Sequence, residues 1–156
     1  MIKKMFYALA AVAVIAFAAC EKDEENPTGT SGNDPATIES RTYVGTVEVT
    51  GAMPFTDPDV EWAIEQEEDG SYTLFMNKTK FSDQMPFRMD MEVRGMENQG
   101  SDGMFAFETD SIIPYYNGEQ QESRIMTDFK CEADDETISV VFVCMGLNVN
   151  YEGTKK

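Results

Sequence analysis

From Tyr43 onward, apolar and polar residues alternate with a period of two, the mark of half-buried β-strands. In Tyr43-Val-Gly-Thr-Val-Glu-Val-Thr50 the odd positions are Tyr, Gly, Val and Val, and three of the four even ones are polar or acidic. Val60, Trp62 and Ile64 alternate with Glu61, Ala63 and Glu65, and Tyr72, Leu74 and Met76 follow the turn Glu68-Asp-Gly-Ser71. In Phe87-Arg-Met-Asp-Met-Glu-Val-Arg94, Phe87, Met89, Met91 and Val93 share one face and the charged residues share the other. Two more strands are predicted over 103–109 and 123–131. Ile138, Val140, Phe142 and Cys144 line one face of the most apolar strand, and Leu147, Val149 and Tyr151 line that of the last. No helical period appears after residue 40. The pattern predicts an all-β fold, an eight-stranded antiparallel meander closing into a barrel, with a β-sandwich as the alternative. A barrel of that size is just wide enough inside for its own side chains or for one small ligand.

The first residues follow another pattern. Met1-Ile-Lys-Lys4 is basic, and Met5 to Ala19 is apolar on every side, as a secretory signal is. The run is shorter than the roughly 20 residues that span a bilayer. Ala18-Ala19-Cys20 resembles the end of a bacterial lipobox, with Phe17 where that motif usually has Leu. The resemblance implies cleavage before Cys20 and attachment of lipid, such as palmitate, to its sulphur. Each buried CH₂ contributes about 0.8 kcal/mol, so two or more acyl chains anchor stably. From Cys20 to Ser40 the chain is rich in Glu, Asp, Asn, Pro, Thr, Gly and Ser, with Ile38 its one large apolar residue. It reads as a disordered acidic tether, and about 20 such residues reach roughly 25 Å. The expected organisation is a signal over 1–19, a lipidated tether over 20–40 and a barrel over 41–156.

Charge and chemistry narrow the function. The chain holds 29 acidic and 12 basic residues and no histidine; removing Lys3 and Lys4 takes the net charge from −17 to −19. Such a surface does not bind nucleic acid, which needs clusters of Lys and Arg. Without histidine there is no Ser-His-Asp or Cys-His arrangement and no imidazole metal ligand. Asp57-Pro-Asp59, Asp83, Asp90 and Asp134-Asp-Glu136 are expected as solvated turn formers and outward strand positions rather than a catalytic pair or a Ca²⁺ site. No catalytic residue, metal or cofactor is predicted. A turn at 133–136 sets Cys131 opposite about residue 137, some seven residues or roughly 23 Å from Cys144. A disulfide bridges no more than about 7 Å between Cα atoms, so two separate buried thiols are expected.

Nine of the eleven methionines follow residue 19, and Met76, Met89 and Met91 share inward faces with Trp62, Phe87 and Phe142. So many large inward residues predict a filled barrel, with room for a small pocket at one mouth. Three loops are unusually apolar: Ala52-Met-Pro-Phe55, Phe81-Ser-Asp-Gln-Met-Pro86 and Ile112-Ile-Pro-Tyr-Tyr116. They either cap the barrel or present a surface, for which Phe55, Trp62, Tyr115 and Tyr116 are the candidate contact residues. Asp110-Ser111-Ile112 resembles the short O-glycosylation motif of Bacteroidetes, with Ser111 as acceptor in a loop.

The lipobox, the acidic tether, the opening Tyr43-Val-Gly-Thr-Val-Glu-Val, the segment Gln84-Met-Pro-Phe-Arg-Met-Asp-Met-Glu-Val93 and the ending Leu147-Asn-Val-Asn-Tyr-Glu-Gly153 together resemble the calycin-like β-barrel lipoproteins of Bacteroidetes. The resemblance implies a lipocalin-related barrel and no activity. The Gly-x-Trp opening of true lipocalins is missing, so no lipocalin ligand carries over. Cys20-Glu-Lys-Asp-Glu-Glu25 resembles the charged export signal of surface lipoproteins. That implies a lipid anchor in the outer membrane with the barrel on the cell surface, the alternative being a plain spacer and a periplasm-facing barrel. The expected function is a non-catalytic binding module for a small ligand, a glycan or an envelope protein. The alternative is an accessory envelope lipoprotein with a filled barrel and no ligand.

Overall fold

The computed structural model describes residues 40–156 apart from 102. The signal, Cys20 and the tether up to Glu39 lie outside the described residues. Ten strands follow in order: β1 (Arg41–Thr50), β2 (Phe55–Gln66), β3 (Tyr72–Thr79), β4 (Met89–Met96), β5 (Phe105–Ile112), β6 (Tyr115–Tyr116), β7 (Glu119–Gln120), β8 (Met126–Ala133), β9 (Thr137–Cys144) and β10 (Leu147–Lys155). A 3₁₀ turn, Glu122–Arg124, precedes β8. It occupies residues expected to begin that strand. The predicted eight strands are the eight long ones; β6 and β7 form a small hairpin on Asn117-Gly118, whose φ values of 52° and 79° are those a two-residue primed turn requires.

All pairs are antiparallel in one ten-stranded sheet, ordered β5-β8-β9-β10-β1-β2-β3-β4-β6-β7, which curls into a half-barrel consistent with the expected barrel. β10 lies against β1 from Tyr43↔Lys155 to Thr50↔Asn148, so the last strand meets the first. β6 continues β5 beyond Ile113 and Pro114, and it pairs with β4 while β5 pairs with β8. The strip from Phe105 to Tyr116 thus bridges the two margins of the sheet. At its start, Gln99 N–H donates to the Ala106 carbonyl at 2.7 Å, and Ala106 N–H donates to Asn98 Oδ1 at 3.1 Å.

Alternation builds the core. Tyr43, Val47 and Val49 of β1 point inward, as do Val60, Trp62 and Ile64 of β2 and Met89, Met91 and Val93 of β4. Trp62 stacks on Tyr151 with ring centroids 4.0 Å apart, and Tyr72 packs on Phe105 at 4.9 Å. The Tyr151 hydroxyl lies 3.1 Å from the carbonyl oxygens of both Tyr43 and Val60, and burial raises its pKa. At Gly45, opposite Gly153, β1 and β10 leave no room for a side chain: a Cβ there would run into the Glu152 carbonyl and lie 2.5 Å from Gly153 Cα. Phe87 is a correction. It is 55% exposed in the loop before β4, because that strand begins only at Met89. The cysteines need one as well: Cys131 faces Val140, four residues from Cys144, since the hairpin pairs Ala133 with Ile138. At ~3.3 Å per residue that is still beyond disulfide reach, and both thiols are free and buried.

Three strands bulge at one end of the barrel. Asp59 in β2, Lys78 in β3 and Asp128 in β8 have φ of 58°, 46° and 51°, each beside a register shift. Bulges bend a strand and sharpen its twist. This rim carries the loops 51–54, 80–88 and 113–125 and the turn 145–146. The opposite rim carries 67–71, 97–101 and 134–136, and there the chain enters β1: Arg41 is ion-paired with Asp135, and the Tyr43 hydroxyl donates to the Asp134 carbonyl at 2.7 Å.

Candidate mouth site

The bulged rim gathers all three apolar loops. Between the first two of them and the β9–β10 turn lies a cavity of about 310 Å³, which the third loop, Ile112–Tyr116, does not line. Met89, Met91 and Val149 form its floor at the upper edge of the core; Met53, Phe81 and Met85 line the side of the β1–β2 and β3–β4 loops. Cys144, Met145 and Leu147 line the side of the β9–β10 turn, and Ser82 and Arg124 supply the polar groups. The Phe81–Pro86 loop is held locally: Phe81 N–H points at Met85 Sδ at 3.1 Å, Gln84 N–H donates to Ser82 Oγ at 3.1 Å, and the Phe81 ring stands edge-on to Phe142 at 5.7 Å.

Six of the eleven lining residues carry sulphur, the soft donors that suit Cu(I). Arg124 opposes a cation there, since its Nη1 lies 2.8 Å from Met89 Sδ and places positive charge on the sulphurs. Cys144 Sγ approaches the Arg124 carbonyl at 3.6 Å, and burial raises its pKa, so it behaves as a small apolar wall residue. Cys131 is wholly enclosed, and its pKa is raised by burial.

Phe55, at the start of β2, is half-buried against the core below the rim. Trp62 is fully buried, stacked on Tyr151 and away from the mouth, so it is packing and contacts no solvent-borne ligand; its indole Nε1 finds no acceptor among the described residues. Tyr115 and Tyr116 sit in β6. Arg94 covers one face of the Tyr115 ring at 4.5 Å, and Gln120 Nε2 donates to its hydroxyl at 2.9 Å. Tyr116 is half-buried against the core. Ser111 is exposed but stands in β5, paired with Thr127, rather than in a loop.

The acidic residues divide. Asp57, expected in solvent, is 4% exposed: Arg88 Nη2 donates to its Oδ1 at 2.7 Å, and Arg88 Nη1 also reaches the Lys78 carbonyl at 2.8 Å. Asp90 Oδ1 accepts from Lys78 N–H at 2.7 Å and so holds the β3 bulge. Among the described residues no three Cys, Asp or Glu side chains come together as metal ligands. Met53, Met85 and Phe81 were legible as members of apolar loops; the part of Arg124 was not, because it depends on a 3₁₀ turn with no periodic signal. No family model, curated protein or solved structure matches the chain.

Proposed function

We propose that the protein is a lipid-anchored outer-membrane lipoprotein of the calycin-like type, and that its barrel is a non-catalytic binding module working through its mouth. One observation carries this reading: a filled barrel ends, at its bulged rim, in an apolar cavity of about 310 Å³ walled by the apolar loops 52–55 and 81–86 and by the β9–β10 turn. That volume lies at the lower end of the range for small-molecule pockets. Methionine is flexible and polarizable, which suits a wall that adapts to its guest. Of the three partner classes, the cavity favours a small apolar ligand over an envelope protein. A glycan is less supported, since Arg94 already covers a face of Tyr115. The anchor at Cys20 rests on the lipobox-like Ala18-Ala19-Cys20. The chain enters β1 at the rim opposite the mouth, so the tether does not start from the mouth.

The test uses 1-N-phenylnaphthylamine, a neutral apolar fluorophore. Its emission rises with wild-type protein and fails to rise with Ser82→Trp, which places an indole in the mouth from a loop outside the core. Equal emission from both proteins at unchanged Tm contradicts the reading. The second reading, an accessory lipoprotein without a ligand, is favoured by the filled interior behind Trp62 and Tyr151. It predicts no emission change with either protein.

A further inference from the structure

The wall of the mouth is apolar with one cationic exception. Arg124 closes the 3₁₀ turn before β8, half-buried, and its guanidinium meets Met89 Sδ at 2.8 Å. A thioether is a weak acceptor, whereas a guanidinium offers five donors. Arg41, Arg88 and Arg94 each hold a carboxylate, and among the described residues Arg124 holds none. In a chain with 29 acidic residues this is an unusual vacancy, and it opens on the methionine-lined cavity. A cation kept against apolar walls favours an anion beside it.

We infer that the mouth takes a single-chain amphiphile with an anionic head, its tail against Met85, Met89 and Met91 and its head paired with Arg124. The inference rests on the mouth being the binding site. The planar fork of arginine matches a carboxylate or sulfate with two parallel hydrogen bonds, so turning from Met89 Sδ to such a head exchanges a weak partner for a strong one. A methylene is about the size of a water molecule, whose share of the liquid is about 30 Å³, so the cavity accommodates roughly ten carbon atoms. The net charge of −17 repels anions from the surface as a whole, so any preference for an anionic head arises locally, at Arg124.

Isothermal titration calorimetry of the full chain with four ten-carbon ligands tests this: decanoate, decyl sulfate, decanol and decyltrimethylammonium. Decanoate and decyl sulfate are expected to bind roughly tenfold or more tighter than decanol, and the ammonium weaker than decanol. Arg124→Gln should bring decanoate close to the affinity of decanol while weakening decanol far less, and Arg124→Lys should keep part of the preference. Equal wild-type affinities for decanoate and decanol, a comparison that needs no variant, overturn the assignment of the head group but not the mouth as a site. An anionic preference surviving in Arg124→Gln, or loss of decanol binding along with decanoate, overturns the role of Arg124. Failure of all four ligands to bind overturns the mouth itself.

Discussion

The carboxylate of Asp57 is buried while its partner Arg88 stays half-exposed, and the guanidinium also ties the loop before β4 to the Lys78 carbonyl on β3. Removing the cation leaves a carboxylate with little water and no counter-charge, the costly way to break such a pair. Arg88→Ala should therefore lose about 2 kcal/mol in urea unfolding, less than a fully buried pair because Arg88 is partly solvated. A change within about 0.5 kcal/mol, typical of ordinary surface substitutions, contradicts this. Asp134 shows the other use of an acidic residue. Its Oδ1 accepts from the N–H groups of Glu136 and Thr137 at 2.8 and 2.7 Å, and these bonds hold its carboxyl below the usual carboxylate range. A depressed folded pKa means that its contribution to stability is complete above the ordinary value of about 3.9 and is lost as pH falls through the folded value. Asp134→Asn should flatten the fall in Tm below about pH 4; an unaltered acid limb counts against the turn. Both residues sit in acidic stretches of similar appearance. Composition marks them alike, and only the pairing partner, 31 residues away for Asp57, tells them apart.

At the scale of the elements, the sheet's continuity depends on how near β1 and β10 approach, since that pair joins its two halves. Gly45→Ala places a methyl group on the Glu152 carbonyl, against the Glu152–Gly153 backbone of β10 and with no flexible side chain to yield. Overpacking commonly costs about 1–3 kcal/mol, and here it falls on the pairing of first and last strands, so Tm should drop by roughly 10 °C or more. A Tm within about 2 °C of wild type contradicts the close approach. The long strands were legible in the sequence because each has one buried and one solvated face, and a two-residue period survives in the residues themselves. What escaped has local physical causes. Phe87 continues the alternation of β4, but the chain leaves the sheet before Met89 so that Arg88 can reach Asp57. The start of β8 was displaced by a 3₁₀ turn, and the bulges at Asp59, Lys78 and Asp128 place non-glycine residues at positive φ, which no side-chain pattern announces. Trp62 was legible as inward-facing; its use as packing rather than contact follows from Tyr151, its stacking partner 89 positions along the chain.

For the whole molecule, three apolar loops far apart in sequence meet at one rim because the strands run up and down and return every second connection to the same end. The sequence shows each loop as apolar; topology brings two of them, with the β9–β10 turn and Arg124, around one cavity. The anchor proposal belongs to this scale too. Radioactive palmitate should label the wild type and not Cys20→Ala, and label persisting in the variant contradicts the anchor. Protease added to intact cells should release the barrel if the acidic tether directs export to the cell surface; a protected barrel supports the periplasm-facing alternative. The central claim is that binding occurs at the mouth and leaves the packed interior untouched. Its most direct test is NMR of the protein carrying ¹³C-methyl methionine, titrated with decanol. Five of the nine methionines after residue 19 line the cavity, whereas Met96 and Met104 lie toward the opposite rim. The account predicts shifts in the methyl signals of Met53, Met85, Met89, Met91 and Met145, with Met96 and Met104 unmoved. Shifts centred on Met96 and Met104, or no shift at any methionine, would contradict it.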